Sequence, residues 1–164
     1  MSLYFRLGGA ALVMIAALLI SRYYEKYLLK RVDEYSGLVL LVTHMENEIT
    51  KYLAYGNRLW SNFCHDGLEK CGFLSVLREC GSISEALSNV GDRMSLSRAS
   101  REHLAESFSR LGRGYLDEEL SLLSEIKDSL SAELDTERIE AEKNIKVVRA
   151  LLLGGALAVV VMVI

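Results

Sequence analysis

The chain has 164 residues, 51% hydrophobic and 25% charged, with 19 lysines and arginines against 22 acids for a net charge of −3. That balance, acidic above all in the middle of the chain, argues against a nucleic-acid binder, which would need a basic stripe. Three cysteines, Cys64, Cys71 and Cys80, are odd in number and match no zinc spacing, as suits a reducing compartment.

The first element is an apolar run from Leu7 to Ile20, fourteen residues without a charge. A bilayer core of ~30 Å takes about 20 helical residues to cross. The expected membrane helix is therefore 3–21, borrowing Leu3, Tyr4 and Phe5, with Arg6 snorkelling to the surface. Tyr4 at one end and Tyr23, Tyr24 and Tyr27 at the other suit the interface. A cleaved signal peptide fits less well. No small-x-small site follows Leu18-Leu19-Ile20-Ser21-Arg22, and the downstream flank is the more basic one.

Apolar residues then recur as Leu28, Val32, Tyr35, Val39, Val42, Ile49 and Leu53, a heptad seam broken only by Glu46. Leu38, Leu41 and Met45 add a neighbouring row, so this helix buries a broad face. Shorter elements follow. Asn57 to Cys64 carries Leu59, Trp60 and Phe63 on one face, and His65-Asp66-Gly67 reads as a turn. A helix with Phe73, Val76 and Leu77 is expected to end at Gly81. Ser82-Ile83-Ser84-Glu85 has the capping-box form and opens a helix holding Ala86, Leu87 and Val90. Ser97 can cap the next, which is expected to bury Leu104, Phe108 and Leu111 and stop near Gly112 and Gly114.

The last element is a second seam: Leu116, Leu120, Leu123, Leu130, Leu134, Ala141 and Val148, with Lys127, Glu137 and Asn144 at the skipped positions. It is expected to pass unbroken into a second apolar run, Ala150 to Ile164, giving a membrane helix at 147–164 with Arg149 snorkelling. Such a helix would be roughly 70 Å long at 1.5 Å per residue. The elements together predict an all-α protein. Its antiparallel helical bundle, residues 22–146, is flanked by N- and C-terminal transmembrane helices.

Charge gives the side. Arg22, Lys26, Lys30 and Arg31 follow the first run, and Arg138, Lys143, Lys146 and Arg149 precede the second. That is eight basic residues facing the middle against Arg6 outside it. The positive-inside rule then places the middle in the cytoplasm. A six-residue N-terminal tail and no C-terminal tail would be easy to translocate. From Asp33 to Glu137 there are 10 Lys/Arg and 19 Asp/Glu, a local charge of −9. Such a body suits a basic protein partner, or is simply a solvated acidic surface.

Chemistry is sparse. A nucleophile needs a base within reach and a metal needs three or four converging ligands, yet His44, His65 and His103 fall in different elements. Cys64-His65-Asp66 is the only reactive-looking cluster, and a helix end explains it. The Gly8-Gly9 and Gly154-Gly155 pairs lie in the apolar runs and cannot be phosphate loops; Gly154 with Ala158 makes a small face for helix packing. Glu118, Glu119, Glu125, Asp128, Glu133 and Asp135 alternate with leucines at core spacing, so they form a solvated face. Glu118, Glu119 and Glu125 are the candidate partner-binding residues. No catalytic, cofactor-binding or metal-ligating residue is expected.

Several segments resemble one known family. They are Leu40-Leu41-x-x-His44-Met45-Glu46-x-Glu48-Ile49, Gly81-x-x-Ser84-Glu85-Ala86-Leu87, Leu96-Ser97 followed by Phe108-x-x-Leu111-Gly112, and Lys143, Lys146 and Arg149 before a glycine-containing run. In this order and spacing they resemble the stage III sporulation protein AB family of endospore-forming bacteria. The resemblance implies a helical module like that of the type II secretion F platform protein, in a cell membrane on the mother-cell side. It implies a platform without chemistry of its own in the channel between mother cell and forespore. The implied partners are the membrane, a secretion-type ATPase (protein AA) and the other stage III A-series proteins. Self-association is left open, and no nucleic acid or small-molecule substrate is implied. Two rivals stand beside it: a platform of a pilus or type II-like secretion system outside sporulation, and a membrane-anchored thiol redox sensor or enzyme using Cys64, His65 and Cys71.

Overall fold

A computed structural model describes the backbone of residues 3–53, 56–112 and 114–163, with side chains at those positions other than 3–8, 10, 57, 159, 160, 162 and 163. Among the described residues the chain is helical and forms no strand, as its periodicity predicts. Helix α1 (Leu3–Tyr52) has 50 residues and α6 (Leu116–Val163) has 48. Between them come α2 (Asp66–Lys70), α3 (Phe73–Cys80), α4 (Ile83–Asn89) and α5 (Arg98–Phe108), with 3-10 turns at Gly56–Leu59 and Gly91–Arg93. Contacts divide the chain into two compact units: Met1–Leu29 with Glu137–Ile164, and Lys30–Thr136.

The Lys30–Thr136 unit holds the core. Tyr35, Leu38, Leu41, Val42, Met45 and Ile49 of α1 are buried there, as are Leu123, Ile126, Leu130 and Leu134 of α6. The helices run antiparallel in this unit, with Tyr35 beside Glu133 and Glu46 beside Lys127. The skipped positions of the two seams therefore meet. Lys127 Nζ donates to Glu46 Oε2, both side chains being half-buried. A single polar pair in an apolar seam sets the register between two helices.

The short helices stop and start where their caps dictate. α3 ends at Gly81 in the left-handed region, φ +68°. Ser82 Oγ accepts from Glu85 N at 3.5 Å to open α4, and Ser97 Oγ accepts from Ser100 N at 3.1 Å to open α5. Two expectations need correction. Asn57 to Cys64 is not an α-helix: a 3-10 turn precedes a plain turn, although Leu59, Trp60 and Phe63 are buried as expected. His65-Asp66-Gly67 is not a loop, because Asp66 and Gly67 begin α2, with His65 at its N-cap. The reason is close packing. A Cβ on Gly67 would run into the Asp33 carboxylate, and one on Gly37 would sit 2.7 Å from the His65 ring. Two glycines thus let α2 lie against α1.

In the unit of Met1–Leu29 and Glu137–Ile164, the small residues Ala17, Ser21, Ala141 and Ala156 are buried. Arg149 donates to Glu25 at 2.9 Å. Gly154 and Ala158 are exposed there, and a Cβ on Gly154 meets open space. Large apolar side chains face outward, Leu12 being 69% and Leu151 70% exposed. Among the described residues no helix is long and apolar enough to cross a membrane. The parts of the two expected membrane helices at 3–8, 10, 159, 160 and 162–164 lie outside the described side chains.

Candidate interaction surface

Glu118, Glu119 and Glu125 look alike in the sequence, and the structure gives them different work. A helix start leaves amides without partners and favours negative charge. The Glu119 carboxylate accepts from Gly112 N at 2.8 Å and from Gly114 N at 2.9 Å, holding the α5–α6 turn. Glu118 accepts from Tyr115 N at 3.1 Å. Glu125, two turns beyond Glu118, is exposed and borders a different cleft of about 280 Å³ with His103, Glu106 and Arg110. The three carboxylates are not one patch, and two of them shape the turn that carries them.

The same turn forms one wall of an apolar groove of about 490 Å³. Met45 and Ile49 of α1, Trp60, Ile83 and Phe108 line it, and Tyr115 stands on its rim, 84% exposed. Glu119 is the sole charged side chain among its described lining residues.

A buried carboxylate escaped the sequence reading. Glu34 has no exposed surface; it accepts from Ser95 N at 2.6 Å and Ser95 Oγ at 3.3 Å, with Lys30 Nζ 3.6 Å away. Lys30 also donates to the Arg93 carbonyl at 3.2 Å. These bonds tie α1 to the segment that leads into α5. Burial pushes the Glu34 carboxyl above its ordinary range, opposed by the Ser95 bonds and the Lys30 charge. The signal was present in the spacing: Glu34 lies on the same helical row as Leu38, Leu41 and Met45.

The reactive-looking residues differ in their surroundings. Cys64 is exposed, Cys71 buried and Cys80 half-buried, all as free thiols. Burial pushes the Cys71 thiol up, away from the thiolate that redox chemistry needs. His65 faces Asp33 of α1 across 3.9 Å, and the His44 ring lies tilted on Phe63, centroids 5.6 Å apart. Among the described residues no group of three or more His, Cys, Asp or Glu could hold a metal.

Fold and surface together define, among the described residues, a helical bundle protein in which Glu34, Glu46, Lys127, Glu118 and Glu119 hold helices and turns. The chain belongs to the stage III sporulation protein AB family, whose model matches residues 78–164, more than half of it. Its role is in sporulation. Three of the resembling segments, from Gly81 onward, lie inside the matched region, and Leu40–Ile49 lies before it. No curated protein and no solved structure matches the chain.

Proposed function

We propose that this chain is a membrane-anchored platform of the stage III sporulation apparatus. It couples a secretion-type ATPase to the membrane ring of the channel between mother cell and forespore, with its bundle in the mother-cell cytoplasm. It turns over no substrate itself. Family membership supports the sporulation role.

The observation that carries the anchor is the outward apolar surface. Leu12, Ile15 and Leu19 on α1 and Leu151, Leu157 and Val161 on α6 are all exposed, next to eight basic residues in the sequence. Large apolar side chains in such density favour lipid over water. The scaffold reading is supported by how charge is used: Glu46 with Lys127, Glu34 with Ser95 and Glu119 with its turn all serve packing. The local charge of −9 favours a partner contact that weakens with salt, since screening limits exposed charges to about 8 Å at physiological strength.

Deletion of the gene tests the reading. Vegetative growth should be intact and sporulation should stop after the forespore is engulfed. Normal spores from the deletion strain would sink it.

A further inference from the structure

Among the described residues between Lys30 and Thr136 the exposed large hydrophobics are few: Leu40, Tyr52, Leu53, Tyr115 and Leu116. Tyr115 and Leu116 border the apolar groove; Tyr52 ends the helix that supplies its Ile49 wall, and Leu53, expected in the seam of that helix, instead lies exposed just beyond it. An apolar concavity with an apolar rim marks a binding surface.

Three observations select what fills it. A small ligand needs convergent polar groups to orient it. The groove's one described charged side chain, Glu119, already has its oxygens on Gly112 and Gly114 N–H. A peptide that binds by adding a strand needs a sheet edge to pair with, and the described residues form no strand. An apolar helical ridge needs neither. Charge then selects its flank. Asp117, Glu118 and Glu119 form the first turn of α6, which lines the groove through Leu116 and Glu119, in a segment whose net charge is −9. A second copy would bring the same sign of charge and be repelled; a basic helix would be drawn in.

We infer that the groove bordered by Trp60, Phe108 and Tyr115 docks an amphipathic helix of a partner protein, its apolar ridge in the groove and its lysines or arginines against the start of α6. This gives the platform's partner contact a place, and it rests on that reading only for the existence of a partner.

The chain offers its own reporter, because Trp60 is its only tryptophan and lines the groove. The full chain, grown with 5-fluorotryptophan and held in phosphatidylcholine nanodiscs, gives one fluorine resonance. The probe is a tryptophan-free helical peptide of leucine and lysine, with leucines at helical-ridge spacing. It should shift the Trp60 resonance saturably, and the shift should weaken as salt rises. The same leucine ridge with glutamate should bind at least about tenfold more weakly, and a lysine–serine peptide should leave the resonance unmoved. Tyr115→Ser tests the site without threatening the fold, since residue 115 precedes α6 and serine is a favoured N-cap. It should lower affinity about tenfold, and Asp117→Asn should lower it less.

The inference is overturned by an unmoved resonance at about 1 mM peptide, by equal response to the glutamate peptide, or by equal affinity in Tyr115→Ser. A resonance that moves with chain concentration alone overturns it as well, and gives the groove to a second copy. If the groove ignores peptide while deletion still blocks sporulation, the docking site is lost and the platform reading stands.

Discussion

Glu34 holds a carboxylate out of water between Lys30 and Ser95. Its ordinary value is 4.5, and in the fold it is raised, burial outweighing the Ser95 and Lys30 contacts. The folded chain thus binds this proton more readily than the unfolded chain over the interval from 4.5 up to the raised value. Stability from Glu34 is lost as pH rises through that interval; the penalty is full above it and absent below 4.5. Glu34→Gln cannot ionise and has no such dependence. The melting temperature of Glu34→Gln minus that of the parent should climb as pH is raised from about 4 to about 8. A flat difference would mean that Glu34 keeps an ordinary affinity for its proton. At this scale the sequence shows a glutamate on an apolar row, and only folding brings Ser95, 61 positions away, to meet it.

Among elements, the heptad seams of α1 and α6 were legible because apolar spacing follows directly from helix geometry. The pairing of their interruptions was not. Each seam shows a polar residue at a core position, and nothing local says that Glu46 and Lys127 answer each other across 81 positions. Removing one partner leaves a half-buried charge alone, whereas replacing both with apolar residues restores both seams. Glu46→Leu and Lys127→Met should each cost about 1–3 kcal/mol in denaturant unfolding, with the double variant close to the parent. Additive losses in that double-mutant cycle would show the pair to be uncoupled. The same scale changes how Glu118 and Glu119 are tested. Reversing their charge also disturbs the amides of Gly112, Gly114 and Tyr115, so a partner effect there is mixed with a turn effect. Glu125 and Asp117, which are exposed, are the cleaner probes of surface charge.

For the whole molecule, charge polarity carries the argument: a segment of −9 lies between basic flanks of a chain that totals −3. The proposed orientation puts the cysteines inside the cell. Cys64 is exposed and Cys71 is buried, so access to the first depends on side and access to the second on folding. A membrane-impermeant maleimide should leave Cys64 unlabelled in intact cells and label it after lysis, with Cys71 labelled only on denaturation. Labelling of Cys64 in intact cells would reverse the topology.

The sequence by itself determined the helical class, the two long seams, the caps at Ser82 and Ser97 and the stop at Gly81, because propensity, capping and periodicity act within a few residues. The family was also legible there, from motif order alone. Tertiary structure decided the rest. It turned Asp66-Gly67 into a helix start through close packing on Gly37, and it buried Glu34 against Ser95. It joined Glu46 to Lys127, and it drew Ile49, Trp60, Ile83 and Phe108 into one groove beside Tyr115. Each of these depends on contacts between residues far apart in the chain, and such contacts follow from how helices stack rather than from any local pattern of side chains.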